Sequence, residues 1–152
     1  MPVDPDDPFP ALLEAWLDPA TPPARWAVVV GSDARADAAL HAAAAAHELL
    51  AVRTGDPGAD ARLADLGPVL GRLLDDMTTS QRRLGRHLLV DGVRQADAAE
   101  ILGISRASVS VARGRAHIHE IDLLLHAVRV VWSAGRASGM QPSLGEADDE
   151  TR

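Results

Sequence analysis

The spacing of small and apolar residues in QADAAEILGISRASVSVARG, residues 95–114, constrains the fold more than any other feature of the chain. Two helices that cross steeply over a short turn need a small residue at the crossing point, which Ala99 supplies. The turn needs a residue that tolerates positive φ, and Gly103 follows at a suitable distance. Ser105 can cap the second helix, and Val109 can face the first. Because these demands are met at fixed offsets, the segment is predicted to form a helix-turn-helix.

A preceding helix is predicted to start at Thr78 or Thr79 and to end near Gly92, before the two helices of the motif. The same spacing also fits an ordinary αα-hairpin with solvated arginines, so that alternative stays open. The residues expected to wedge the two helices of the motif together are Ala98, Leu102, Ile104, Val109 and Ala112.

Charge is spread unevenly along the chain. The formal net charge is −7, yet residues 78–119 contain seven arginines and only three acidic side chains. A DNA-binding surface needs a local positive patch rather than a basic whole protein. The acidic remainder should weaken non-specific attachment to phosphates.

The outward face of the second helix of the motif follows from helical geometry. Arginine can bond guanine through two hydrogen bonds, serine can bond either base type, and alanine or valine can touch a thymine methyl group. Other polar residues are better placed for phosphates, which fix the position on DNA without reading its sequence. The predicted base-reading residues are Arg106, Ala107, Ser110, Val111 and Gly114. The predicted phosphate-binding residues are Thr79, Arg82, Arg94, Gln95, Ser105, Arg113 and Arg115.

The segment TTSQRRLGRHLLVDGVRQADAAEILGISRASVSVARGRA, residues 78–116, resembles the region 4 type helix-turn-helix of sigma factors and of related response regulators. The resemblance lies in the T-x-x-Q-R helix start, in ADAAEILGIS and in SVS. With VVVGS upstream and an apolar helix downstream, the chain is more loosely similar to SatD-type regulators. The resemblance implies sequence-specific DNA binding by Arg106, Ala107, Ser110 and their neighbours.

An apolar seam follows the motif at intervals of three and four residues. It predicts a homodimer helix that would place two recognition helices about 34 Å apart on a pseudo-palindromic DNA site. The alternative is that the seam packs on the N-terminal helices of the same chain, since two heptads are too few for an independent coiled coil. The residues of the seam are Ile118, Ile121, Leu125, Val128 and Trp132.

The predicted fold is mainly α-helical, with at most one short β-strand. Residues 9–76 are expected to form an alanine-rich helical support or dimerisation region, and residues 77–135 to form the helix-turn-helix domain with its apolar helix. Residues 1–8 and 136–152 are expected to be disordered and acidic. The predicted N-terminal elements are a short helix in PFPALLEAWL, a strand in WAVVVGSD, a helix from Ala34 to Val52, a turn at GDPG, and a helix from Asp60 to Asp76 that Gly67-Pro68 should kink or split.

Several function classes lack support in the sequence. The chain has no cysteine, which excludes disulfides, zinc–thiolate sites and a cysteine nucleophile. It has no lysine and no G-x-G-x-x-G, so no P-loop or dinucleotide motif is present. His117 and His119 lie two residues apart and point to different sides of a helix, and no metal site is predicted from them or from His87 and His126. No enzymatic activity and no cofactor are therefore expected.

The sequence predicts a cytoplasmic DNA-binding protein that regulates transcription. No apolar run reaches the roughly 20 residues of a membrane span, and the acidic N-terminus is unlike a signal peptide. The chain uses arginine and no lysine, which fits a GC-rich bacterial genome, as in many actinobacteria. The expected partners are double-stranded DNA and a second copy of the chain, with no membrane. Two alternatives remain: the motif docks on a sigma factor or RNA polymerase, or residues 26–76 form a small ligand- or nucleotide-sensing unit.

Overall fold

The computed structural model describes residues 6–139, which form seven α-helices and a two-stranded sheet. The mainly α-helical class is thereby confirmed. The elements are α1 (Phe9–Trp16), β1 (Trp26–Val29), α2 (Asp33–Ala45), β2 (Leu50–Arg53), α3 (Pro57–Asp75), α4 (Thr79–Gly85) with a π-helical turn (Arg86–Val90), α5 (Gln95–Leu102), α6 (Arg106–Arg115) and α7 (Ile118–Gly139). Within the described part, no helix is both long and apolar enough to cross a membrane.

The predicted terminal segments, 1–8 and 136–152, lie mostly outside the described residues. Within the described part, Asp6 and Asp7 form ion pairs with Arg136 and Arg129 of α7, so these residues are not disordered as expected. Pro8 is the N-cap residue of α1, and α7 continues to Gly139 rather than ending at residue 135.

The sheet has two parallel strands, so the expectation of at most one strand was wrong. Trp26 pairs with Leu50 and Val29 with Arg53, and α2 makes the crossover between the strands. The helix that was predicted over residues 34–52 ends at Ala45 in the structure. Alanine favours a helix locally, but burial of Leu50, Ala51 and Val52 in the core selects a strand instead.

Helix α3 is one continuous helix through Pro68, so the expected split into two helices is wrong. The predicted GDPG turn is in fact the start of this helix. The Asp56 carboxylate accepts a hydrogen bond from the Ala59 N–H at 2.8 Å, and Pro57 occupies the first helical position, where no backbone donor is needed. A Cβ atom at Gly71 would come within 2.9 Å of the Leu50 Cβ, so this glycine permits close packing of α3 on β2.

The apolar seam of α7 is buried within the chain, and the predicted dimer face is therefore wrong. All of its residues are at most 5% exposed. They cannot meet a partner because they pack on the chain's own helices, which is the alternative that the heptad count left open. One such contact joins the rings of Phe9 and Trp132, edge to face with centroids 6.0 Å apart. The residues that are buried in the core and do not form a dimer face are Ile118, Ile121, Leu125, Val128 and Trp132.

One hydrophobic core joins the predicted N-terminal region to the helix-turn-helix region. Helix α1 contributes Phe9, Leu12, Leu13 and Trp16, and the adjoining Leu17 is equally buried. These residues belong to the same cluster as the buried alanines and valine of α5 and α6. Helix α1 packs on the π-helical turn and α3 packs on α7, so the N-terminal region supports the motif through the elements that flank it.

Arg82 is the charged side chain inside this core, and its predicted contact with phosphate is therefore wrong. It is only 6% exposed. Its guanidinium donates to the carbonyl oxygens of Met77 at 3.1 Å, Asp75 at 2.9 Å, and Trp16. Burial lowers the pKa of Arg82, and the carboxylate of Asp75 acts in the opposite direction. Since all three acceptors belong to other segments, the side chain ties α1, α3 and α4 together.

Replacing Arg82 by alanine should lower the free energy of unfolding by about 2–4 kcal/mol, because buried carbonyls would lose their donors. Arg83→Ala is the matched control, since the side chain of Arg83 is exposed and makes no hydrogen bond or ion pair within residues 6–139. That control should change stability by less than about 0.5 kcal/mol. Urea denaturation followed by circular dichroism measures both. Equal, small effects would contradict the structural role of Arg82.

Candidate nucleic-acid interface

The turn between α5 and α6 is fixed by backbone hydrogen bonds. Gly103 has φ of 65°, and its N–H donates to the carbonyl oxygen of Glu100 at 3.2 Å. The N–H of Ile104 donates to the carbonyl oxygen of Ala99 at 3.0 Å. These two bonds satisfy carbonyl groups at the end of α5 in the manner of a Schellman motif. Ser105 then caps α6, since its Oγ accepts from the Ser108 N–H at 3.0 Å. The sequence prediction of the turn and the cap is confirmed.

The inner faces of the motif pack largely as expected. Ala98, Ala99 and Val109 are buried, while Leu102 and Ala112 are half-buried against the core. Ile104 is an exception, because its side chain is 42% exposed and does not wedge the helices. Its backbone is held against the end of α5 by the turn hydrogen bond, which leaves the side chain at the surface.

The predicted base-reading residues share one open face of α6. All five are exposed, including Val111 at 54%, despite its apolar side chain. At about 100° per residue they cover one continuous arc of the helix surface, opposite the buried Val109. We call this arc the outer face of α6: Arg106, Ala107, Ser110, Val111 and Gly114.

A shallow groove borders each side of the outer face, and each groove carries an arginine. The groove on the α4 side has a volume of about 500 Å³ and is lined by Gln81 together with Ala107, Val111 and Arg115. The groove on the α5 side has a volume of about 400 Å³ and places Arg113 with Arg94, Gln95 and the acidic Asp122. Arginines therefore flank the outer face on both sides, and one carboxylate lies among them on the α5 side.

The arginines around the motif have no partner within residues 6–139. In the rest of the described chain, most arginine side chains are bonded: Arg25 donates to the carbonyl of Glu48 at 2.6 Å, and Arg129 pairs with Asp7 at 3.2 Å. The arginines of the motif therefore keep their donors available for another molecule. Those without a hydrogen bond or ion pair in the described residues are Arg83, Arg94, Arg106, Arg113 and Arg115.

The predicted phosphate-binding residues other than Arg82 lie near the surface. Thr79, Arg94, Gln95, Ser105 and Arg115 are exposed, and Arg113 is half-buried. Most of them lie at the starts of helices or in the grooves beside α6.

Sequence reasoning missed Gln81 and Ser108, which line the groove on the α4 side. The signal for Gln81 was present as the capping box with Thr78, whose N–H donates to the Gln81 Oε1 at 2.8 Å. Thr78, rather than Thr79, is the N-cap residue of α4.

Histidines and acidic residues in the described part do not form a metal-binding cluster of three or more. His117 lies in the turn before α7, with φ of 52°, and its Nδ1 is 3.9 Å from a Glu120 carboxylate oxygen. His87 lies elsewhere, with its Nδ1 3.0 Å from an Asp91 carboxylate oxygen. His119 and His126 are exposed on α7.

The turn after β1 is closed by the chain's own side chains. Gly31 has φ of 126°, and the Arg35 side chain crosses it to donate to the Val30 carbonyl at 3.0 Å. At the end of β2, the Asp60 carboxylate accepts hydrogen bonds from the N–H and Oγ1 of Thr54, and from the N–H of Gly55. A cleft of about 240 Å³ remains between these two ends.

Gly103 and Gly114 form a matched pair, because added Cβ atoms at both positions would meet open space. Gly103→Ala should destabilise the protein by about 1–2 kcal/mol, because only Gly103 has positive φ. Gly114→Ala should stabilise it by about 0.5–1 kcal/mol through helix propensity. Urea denaturation of both variants tests the assigned turn, and destabilisation of similar size at the two positions would contradict it.

The structure shows two helices, α5 and α6, joined by a Schellman turn, with a serine cap and buried residues between them. In comparisons with protein-family models, with curated proteins and with solved structures, nothing matches this chain.

Proposed function

We propose that the chain is a cytoplasmic, sequence-specific double-stranded DNA-binding protein that regulates transcription through its helix-turn-helix. The observation that carries this proposal is the outer face of α6, which is exposed and flanked by arginine side chains without partners in the described chain. The resemblance of residues 78–116 to the region 4 type motif supports the same function.

The outer face of α6 offers the chemistry needed to read base edges in the major groove. Arg106, at the N-terminal end of α6, can form two hydrogen bonds to a guanine. Ser110, one turn further along, can donate or accept, and Val111 can contact a thymine methyl group. Gly114 adds no side chain to the face, which lets the duplex approach the helix closely.

The edges of the same face fit the phosphate backbone on both sides of the groove. Arg115 lies on the α4 side, and Arg113 lies with Arg94 and Gln95 on the α5 side. Such contacts fix the position of the recognition helix and make affinity depend on salt. The acidic N-terminal region adds repulsion from DNA outside this surface, which favours selective over non-specific binding.

Each chain carries one recognition helix in its described part, which contacts only a short stretch of one major groove. A homodimer would present two such helices to a pseudo-palindromic site about one helical turn apart. We therefore include a homodimer in the proposal. The face of α7 first expected to form it is buried, so another surface must serve.

Arg106→Ala should lower affinity for the preferred duplex about 5- to 150-fold and relax discrimination at one base pair. Arg115→Ala should instead weaken binding to all duplexes alike and reduce the salt slope by about 1. Arg62→Ala is the matched control, since this exposed arginine of α3 also has no bonded partner within residues 6–139.

Fluorescence anisotropy over a library of genomic duplexes and a salt series measures these effects. The library should include the region upstream of the protein's own gene. If all duplexes bind equally weakly, or if Arg62→Ala has the same effect as Arg106→Ala, the proposal is wrong.

A second candidate function has one specific observation in its favour. Ile101 is 57% exposed on α5, close in sequence to the exposed Ile104 and to the acidic Asp97 and Glu100. Neither carboxylate has a hydrogen bond or ion pair within the described residues. Contiguous exposed apolar patches that are rimmed by polar residues mark surfaces that bind proteins. In this alternative the motif docks on a sigma factor or RNA polymerase.

Reversing the charge of Arg106 and Arg113 together separates the two functions. If the motif reads DNA, the double Arg→Glu variant should lose duplex binding almost completely, because it repels phosphates at the recognition helix. Binding to purified RNA polymerase holoenzyme, measured by biolayer interferometry, should survive if docking uses α5 instead. Wild-type chain that binds polymerase but no duplex would favour the docking alternative.

A further inference from the structure

The cleft at the carboxyl ends of the two parallel strands is a cavity that the DNA-binding surface does not use. It has a volume of about 240 Å³ and is lined by residues of α2, of both strand ends and of the first turn of α3. In open α/β sheets, ligands bind in the crevice outside the carboxyl ends of the strands. The β1–α2–β2 unit therefore places a cavity where such a fold offers a binding site.

Arg35 is held between the two strand ends by the glycines of their turns. A Cβ atom at Gly31 would lie 2.8 Å from the Arg35 Cδ, so glycine leaves room for the side chain to cross this turn. The guanidinium then reaches the second turn, where its Nη1 and Nη2 would lie 3.7 Å from a Cβ atom at Gly55. Its Nη1 donates to the Val30 carbonyl oxygen at 3.0 Å. The guanidinium is thereby positioned beside both strand ends.

Arg35 and Arg53 both line the cleft and keep donors available. A guanidinium carries five N–H donors. Apart from the bond to Val30, Arg35 makes no hydrogen bond or ion pair within residues 6–139. The Arg53 Nη1 donates to the Val52 carbonyl oxygen at 2.8 Å, and its Nη2 lies 3.9 Å from a Glu48 carboxylate oxygen. Two guanidinium groups with unused N–H donors therefore line one cavity.

Asp60 is the acidic residue that lines the cleft, and its carboxylate oxygens are engaged by the turn after β2. They accept from the Thr54 N–H at 2.6 Å, from the Thr54 Oγ1 at 2.9 Å and from the Gly55 N–H at 3.1 Å. The same turn is packed on α7, since a Cβ atom at Gly135 would lie 2.6 Å from the Thr54 Oγ1. This wall of the cleft is therefore preformed, which lowers the cost of ordering it around a ligand.

We propose that the cleft binds the phosphate group of a small phosphorylated metabolite. Guanidinium groups bind phosphate through paired, charge-assisted hydrogen bonds, and Arg35 and Arg53 supply such groups from α2 and from β2. Val29, Ala38 and Ala39 give the cleft an apolar wall that suits the carbon atoms beside the phosphate. The cleft is smaller than the pockets of about 300–1,000 Å³ that hold drug-sized ligands, so the metabolite has few carbon atoms.

This inference does not depend on DNA binding, and its test contains no DNA. A chain that binds a phosphorylated metabolite in the cleft but binds no duplex would leave the inference intact and overturn the proposed function. A chain that binds its duplex but no phosphorylated metabolite would do the reverse.

Isothermal titration calorimetry of the full chain with glycerol 3-phosphate, at constant ionic strength, is the first experiment. The wild-type chain should bind one equivalent with a Kd below about 1 mM, and glycerol should not bind. Arg35→Gln should lower the affinity about 10- to 150-fold, because charge-assisted hydrogen bonds are lost. Arg62→Gln is the matched control and should bind like the wild type. If the wild-type chain shows no saturable binding, or if both variants lose affinity equally, the proposal is wrong.

A second pair of variants tests the cleft without removing any hydrogen bond of Arg35. Ala38 is exposed on α2, so Ala38→Glu adds a carboxylate to the cleft and should abolish binding while circular dichroism shows unchanged helical content. Ala42→Glu adds the same charge one turn further along the same exposed helix and should bind normally. An Ala38→Glu variant that binds as tightly as the wild type would overturn the proposal.

The arginines around α6 are the competing site for a phosphate, and one variant distinguishes the two sites. Arg106→Gln should leave the affinity for glycerol 3-phosphate unchanged, because Arg106 does not line the cleft. If Arg106→Gln abolishes binding and Arg35→Gln does not, the phosphate binds at the outer face of α6, and the proposed site is wrong.

Discussion

The buried guanidinium of Arg82 is the constraint on which the arrangement of the other elements depends. A charged group in a core is tolerated only when its donors are used, and the carbonyls of Trp16, Asp75 and Met77 meet that need. These three acceptors mark the end of α1, the end of α3 and the residue before the N-cap of α4. The hydrogen bonds fix where three helices meet. The helix-turn-helix region is therefore oriented by the N-terminal region rather than tethered to it.

The arginines of the chain serve two purposes, and burial and bonding distinguish them. Arg82 is used inside the core, and Arg25, Arg35 and Arg53 donate to nearby carbonyl groups around the sheet. Those around α6 make no such bond within the described residues. A single arginine in a sequence does not reveal which role it has, because the role depends on whether carbonyl groups from other segments surround it. This is why Arg82 was assigned to the wrong group.

The elements that sequence analysis predicted well are those governed by local rules. The αL glycine at Gly103, the cap at Ser105 and the small residue at Ala99 act within ten residues of one another. The outer face of α6 follows from these positions by helical geometry, and all of its predicted residues are exposed. The strand β2 and the continuity of α3 through Pro68 depend instead on packing between distant segments. Local propensity favoured a helix in the segment of β2 and a break of α3 at Pro68. Packing between distant segments overrode both preferences.

Helix α7 shows why a heptad pattern alone does not identify an interface. Its apolar seam recurs at intervals of three and four residues, which is also the spacing of a dimer helix. The seam consists of large apolar residues, and the same richness places it in the core of the chain.

The short connection between α6 and α7 determines how these two helices are oriented relative to each other. Only Ala116 and His117 separate the two helices, Ala116 is buried, and the His117 carbonyl accepts a hydrogen bond from the Ile121 N–H at 2.9 Å. The direction of the recognition helix is therefore fixed relative to α7. In the proposed homodimer, whichever surface joins the two chains would therefore also set the angle and spacing of the two copies of α6 without any flexible linker.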